Sequence, residues 1–239
     1  MQNSLQTIPL LKLAIAFLPV LAVLLLFVKW QLKVSKAIYA LLRMLGQLLL
    51  IGYGLNYIFA SDSGLVILLV LLMMVLCSSW ISLNMIPHQP RWSLYKKALL
   101  AIAFGGGIPL AIMTQAVIEL QPWYEPRYMI ALGGMVFANA MNNISLTAER
   151  FYAELNRDLD YPAARTIAFN ASMIPVINAL FAVGLVSLPG MMTGQILSGI
   201  SPFIAARYQI MVMCMIFSSA GLTTACFLVL LKPAKQQSH

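Results

Sequence analysis

The chain has 239 residues, of which 61% are hydrophobic and 9% charged, with a formal net charge of +8. A mean hydropathy of +0.87 excludes a soluble enzyme or soluble binding domain, in which about a quarter of the residues are charged. Cys77, Cys214 and Cys226 fall inside apolar stretches without ligand spacing, which speaks against a disulfide framework and a zinc site.

Seven apolar stretches follow one another: 10–29, 37–59, 64–84, 97–118, 128–147, 166–188 and 206–231. Each is close to the ~20 residues that a helix needs to cross a hydrocarbon core. They predict an all-α, polytopic bundle of about seven transmembrane helices forming one domain over 1–239. The first stretch has no basic segment ahead of it and ends in the interfacial pair Lys29-Trp30, so it reads as a mature helix rather than a signal peptide. Twelve Lys and Arg residues fall in the loops on one side, among them Lys29, Lys33, Lys36, Arg91, Lys96, Lys97, Arg150, Arg157, Arg165, Lys232 and Lys235. Only Lys12, Arg127 and Arg207 fall on the other. The positive-inside rule then predicts a cytoplasmic C-terminus and an outer N-terminus. That asymmetry accounts for the net charge without nucleic acid as a partner.

In the second stretch Arg43 lies about six residues in, and Gln47 follows four positions later on the same helical face. Two readings stand for Arg43. It either snorkels to the interface, or turns inward to contact a substrate or link helices through Gln47. The loop after the third stretch holds His88 between Pro87 and Pro90, and reads as exposed; His239 is the other histidine. Gly105-Gly106-Gly107 is expected to break the fourth stretch, and Gly133-Gly134 to open the fifth; close helix packing explains both. Asn139, Asn142 and Asn143 then form an amide stripe, and Asn170 and Asn178 share a face of the sixth stretch. Interhelical hydrogen bonding explains any one of these amides, whereas the set together suggests a polar path. The fifteen methionines read as gap-fillers, with Met191-Met192 as the exception.

Between the fifth and sixth stretches, 147–166 is the longest polar segment. Phe151, Leu155 and Leu159 recur every four residues, and Arg150 and Glu154 are spaced to pair on the opposite side. The pattern predicts a short amphipathic helix ended near Pro162. Its acidic residues, Glu149, Glu154, Asp158 and Asp160, favour a protein partner over an anionic lipid surface.

The segment 183–199, VGLVSLPGMMTGQILSG, carries Pro189 with Gly184, Gly190, Gly194 and Gly199. Non-helical backbone is tolerated at membrane depth only where protein or a watery cavity surrounds it. The expectation is that Pro189-Gly190 ends the sixth helix and that 191–200 folds back as a re-entrant or interfacial piece. Ser187, Thr193 and Gln195 would then line a path with freed carbonyls. The alternative is a plain turn into an outer loop. No G-x-x-x-x-G-K-[ST] segment occurs, so a nucleotide site would have to come from another chain. Stretches two to seven hold no acidic residue at depth, which argues against a proton antiporter.

The run PVINALFAVGLVSLPGMMTGQILSGISPFIAARYQI at 175–210, with GMVFANAMNNISLTAER at 134–150 and RMLGQLLLIGYGLNYIF at 43–59, closely resembles the FetB-type permeases. These are membrane subunits of a bacterial ABC system associated with iron export, related to plant permeases associated with aluminium tolerance. The resemblance implies a multi-pass permease of the bacterial inner membrane, surrounded by lipid and paired as a homodimer. It implies no cofactor in this chain itself, and ATP with Mg in a separate soluble ATPase subunit. It gives 147–166 the role of a cytoplasmic coupling loop, with Glu149, Arg150, Phe151, Glu154, Leu155 and Leu159 as docking candidates. The candidate path comprises Arg43, Gln47, Asn139, Asn142, Asn178, Ser187, Pro189, Gly190, Met191, Met192, Thr193 and Gln195. No metal ligands are assigned. Ferrous iron prefers carboxylate or imidazole, and the membrane stretches offer neither, so a metal would cross as a complex or the substrate is not a bare ion. The competing class is a stand-alone channel or scaffold without an ATPase.

Overall fold

The structure is a computed structural model that describes residues 9–84 and 91–232. The expected loop around His88, with Pro87 and Pro90, and the tail carrying Lys235 and His239 lie outside the described residues. Among the described residues there are nine α-helices and one π-helical turn, and seven helical segments are long and apolar enough to cross a membrane. The chain divides into two units at Ser61/Asp62.

The first unit contains α1 (Leu10–Ile15), α2 (Phe17–Lys29) and α3 (Val34–Phe59). Gln31, at φ 56°, turns the chain between α2 and α3. Neither α2 nor α3 has a buried residue, although α2 reads FLPVLAVLLLFVK. Apolar helices without a packed face suit lipid as a solvent, where exposed Leu carries no penalty.

The second unit contains α4 (Gly64–Ser82), α5 (Arg91–Ile112), the π-helical turn Met113–Val117, α6 (Pro126–Leu155), α7 (Tyr161–Ala182), α8 (Gly190–Leu197) and α9 (Pro202–Leu231). Proline in the first turn opens α6, α7 and α9, where its missing N–H would have no helical partner anyway. The long helix α6 is central, packing against α4, α5, α7 and α9, while α5 and α9 form the most extensive pair. Small residues make that contact close. A methyl group on Gly105 would lie 2.5 Å from the Thr223 backbone; at the α6–α4 contact, one on Gly133 would lie 2.7 Å from Leu71. The glycine triplet at 105–107, expected from the sequence to break its helix, leaves it unbroken, and Gly105 lets α9 approach α5. In lipid the backbone has no water to turn to, so the helical hydrogen bonds persist through glycine.

Two other expectations are corrected. The segment from Thr147 does not form its own helix; it is the last part of α6, which runs unbroken to Leu155. Pro162 does not end a helix but sits in the first turn of α7, behind the cap Asp160, whose Oδ1 accepts from the Ala163 N–H at 3.1 Å. Likewise Pro189-Gly190 does not end the sixth spanning helix. That helix stops at Ala182, and Pro189 is instead the N-cap of the eight-residue α8.

Candidate functional site

The break between α7 and α8 is a tight hook. The Ala182 carbonyl accepts from the N–H groups of Leu185, Val186 and Ser187, and the Gly184 N–H donates back to the Ser187 carbonyl at 2.9 Å. Gly184, at φ +82°, supplies the left-handed conformation that the hook needs. Leu185 and Val186 at its tip are 90% and 85% exposed, which suits lipid rather than water. Pro189 then starts α8. Its far end is closed by Gly199 at φ +89°, with the Gly199 N–H on the Ile196 carbonyl and the Ile200 N–H on the Gln195 carbonyl, both at 3.0 Å. The hook and the first turn of α8 are thereby laid against the helices beside them.

Between them lies a partly open cavity of about 290 Å³. Ser187, Pro189, Gly190 and Met191 line it from the hook and α8. Met135 and Asn139 line it from α6, Pro175 from α7, and Gln209 and Met213 from α9. None of the lining residues is ionisable, and the described residues hold no cluster of three or more His, Cys, Asp or Glu. Asn139 donates its Nδ2 to the Met135 carbonyl at 2.8 Å, which leaves Oδ1 as the acceptor of that amide. Gln209 is 5% exposed, and its buried Oε1 has no hydrogen-bond partner. An orphaned buried acceptor costs ~1–3 kcal/mol, and this one is shut off from the open space of the cavity that its residue helps to line.

A band of hydroxyls continues the polar interior along α9. Thr224 Oγ1 lies 3.4 Å from Thr147 Oγ1 on α6 and 3.4 Å from Ser172 Oγ on α7, and all three residues are fully buried. Ser219 and Thr223 are also buried on α9, and their hydroxyls have no partner. In α4, by contrast, the buried Ser78, Ser79 and Ser82 each donate to a carbonyl one turn earlier.

Five of the path residues expected from the sequence thus meet at one cavity: Asn139, Ser187, Pro189, Gly190 and Met191. The others are placed elsewhere. Asn142 and Asn178 are exposed, and Asn143 is buried with its Nδ2 on the Asn139 carbonyl, so the amide stripe of α6 divides between three environments. Asn170 lines a different cavity with Arg165 and Thr166. Thr193 donates its hydroxyl to the Pro189 carbonyl at 3.1 Å and so closes the first turn of α8 rather than facing the cavity. Met192 and Gln195 are half-buried on α8 outside the lining, and the buried Oε1 of Gln195 has no partner. Arg43 and Gln47 belong to α3 of the first unit, so the second unit's cavity does not test them. Gln209, Met135 and Met213 were not among the expected residues. The available signal was helical spacing, since Met135 is one turn from Asn139 and Met213 one turn from Gln209.

At the other end of α6 the expected Arg150–Glu154 pair forms, at 2.6 Å, and Arg157 joins it at 3.3 Å. Glu154 is buried there, on the same inward side as Phe151 and not opposite to it. Phe151, 2% exposed, meets the rings of Tyr152 and Tyr161 edge to face at 5.5 and 5.9 Å. It therefore anchors the helix end and presents no face to a partner. Tyr161 donates its hydroxyl to the Leu228 carbonyl at 2.8 Å, tying the start of α7 to the end of α9. Glu149 and Leu159 remain exposed, Arg150 and Leu155 partly so.

Seven apolar helical spans, with an uncharged and largely apolar cavity among the last of them, define an integral, multi-pass membrane protein. The chain belongs to the family described as "Uncharacterised protein family (UPF0014)", which matches residues 10–165 and 161–234. It is 33% identical over 238 residues to the "Probable iron export permease protein FetB" of Escherichia coli K12, covering 90% of this chain and 88% of that protein. The "UPF0014 membrane protein YjkA" of Bacillus subtilis is 32% identical over 253 residues, with 96% of each chain covered. "Protein ALUMINUM SENSITIVE 3" of Arabidopsis thaliana is 29% identical over 205 residues, covering 80% of this chain and 73% of that one. The resemblance drawn from the 175–210 run is thereby confirmed at family level. No solved structure matches the chain significantly.

Proposed function

We propose that this chain is the membrane permease of an ATP-driven exporter, with the α6–α8–α9 cavity as its substrate site. The observation that carries the reading is a partly open cavity free of ionisable groups, at which Asn139 of α6, Gln209 of α9 and Ser187 of the backbone hook meet. Similarity to FetB supports export, and supports a metal or metal complex as cargo. The absence of a phosphate loop from the sequence is consistent with a separate ATPase that binds ATP and Mg. The ATPase docks at the turn between α6 and α7, Asn156–Asp160, through exposed Glu149 and Leu159 and half-exposed Arg150 and Leu155. Excess Lys and Arg supports that face as the cytoplasmic one. The packing of Phe151 and Glu154 makes the turn a stiff lever: motion imposed on it passes along α6 to Asn139, and through Tyr161 to α9. The working unit is a permease homodimer in a bacterial inner membrane.

The test is purification of the tagged chain in mild detergent, followed by mass spectrometry of what accompanies it. A soluble ATPase with a phosphate loop, lost on Leu159→Asp with Glu149→Arg, is the expected result. Recovery of the chain alone, with metal efflux insensitive to the same pair of substitutions, would overturn the ATP-driven reading and leave a stand-alone channel or scaffold.

A further inference from the structure

The chemistry of the cavity lining is narrower than "metal". Three methionines line it, each from a different helix: Met135 on α6, Met191 on α8 and Met213 on α9. The polar residues of the lining are Asn139, Ser187 and Gln209. No carboxylate, imidazole or thiol lines the cavity. Thioethers are soft, polarisable and neutral donors that favour ions such as Cu(I) over hard or borderline divalent ions. Charge points the same way. The desolvation penalty of an ion scales with the square of its charge, so a divalent ion pays about four times as much as a monovalent one of equal size, and neutral donors compensate it poorly. A singly charged soft ion is the species that this lining can strip of water and hold.

We propose that the cavity is a thioether site for a soft, singly charged metal ion of the Cu(I) and Ag(I) type, held by Met135, Met191 and Met213 beside the Asn139 carbonyl. The proposal rests on the cavity being the substrate site. It disagrees with bare ferrous iron as the ion bound there, because the donors that ferrous iron prefers are missing from the lining. Weak, neutral ligation also suits a carrier, since a site that must release its cargo is poorly served by thiolates or carboxylates that hold it tightly.

The experiment uses the full-length protein in lipid nanodiscs, with Cys77, Cys214 and Cys226 replaced by alanine so that no thiol competes, and Ag(I) as an air-stable probe in titration calorimetry. One Ag(I) per chain is expected, weakened at least tenfold by Met135→Leu and by Met213→Leu. These substitutions nearly conserve volume, and a control at the exposed Met73 of α4, Met73→Leu, should change nothing. Anaerobic Cu(I) should show sulfur neighbours by X-ray absorption, with fewer in the double variant. Fe(II) binding tighter than Ag(I), or Ag(I) affinity indifferent to both cavity methionines in protein that elutes normally, would overturn the thioether site. Metal efflux from cells separates that failure from failure of the underlying reading. If the thioethers do not matter to Ag(I) but Gln209→Leu still abolishes efflux, only the assigned ion class falls. If Gln209→Leu and Asn139→Leu both leave efflux intact, the cavity itself is not the substrate site.

Discussion

Replacing Gln209 with leucine should make the empty protein more stable while making it a poorer transporter, and the size of the gain follows from the local geometry. Gln209 is 5% exposed and its Oε1 has no partner, so the folded state carries an unmet acceptor costing ~1–3 kcal/mol. Leucine removes that penalty and keeps an apolar contact with the neighbouring helices. It is shorter by about one methylene-sized group, which gives back ~0.8 kcal/mol of burial. The net expectation is stabilisation by about 1 kcal/mol, or roughly 2–4 °C in midpoint for a chain of this length. Thermal melts of the two proteins in the same detergent, followed by intrinsic fluorescence, measure the midpoint, and efflux from cells measures activity. A lowered midpoint would refute the argument, because it would mean that the amide is already satisfied in the folded protein and is there for stability.

Other predictions concern packing, the turn and the break. Gly105→Ala forces a methyl group against the Thr223 backbone and should cost ~3 kcal/mol or more, whereas Gly107→Ala meets nothing within 4 Å and should be neutral or slightly stabilising; equal midpoints for the two variants would contradict the α5–α9 contact. Glu154→Gln should lower stability by only ~1–2 kcal/mol, because Arg150 and Arg157 are solvated enough to recover water, and should weaken coupling to ATP hydrolysis in membrane vesicles more than it weakens folding. A cysteine at Thr193, on half-buried α8, should react with a membrane-impermeant maleimide added from outside; complete protection would remove α8 from the outer, water-facing side.

The sequence by itself determined the solvent and the number of crossings. Twenty-residue apolar runs leave a chain few alternatives in lipid, since every peptide group must bond within its own helix. It also showed that the chain must be interrupted after the sixth span, because Pro189 and four glycines cannot all be absorbed by a continuous helix. What it left undecided was where each break falls and which way each side chain faces. The same residue type was used in opposite ways. Pro162 and Pro189, which look like helix ends, are helix beginnings, because a missing N–H is harmless in a first turn. Gly105, which looks like a break, is a contact surface whose meaning exists only because Thr223, more than a hundred residues later, lies beside it. Asn139, Asn142 and Asn143 share a stripe on paper, yet one faces a cavity, one is exposed and one is buried, because a helix surrounded by four others has several neighbours within a single turn. Gln209 carried only its one-turn spacing to Met213 as a local signal. Its significance lies in an absent partner, and only packing in three dimensions decides which partners are absent.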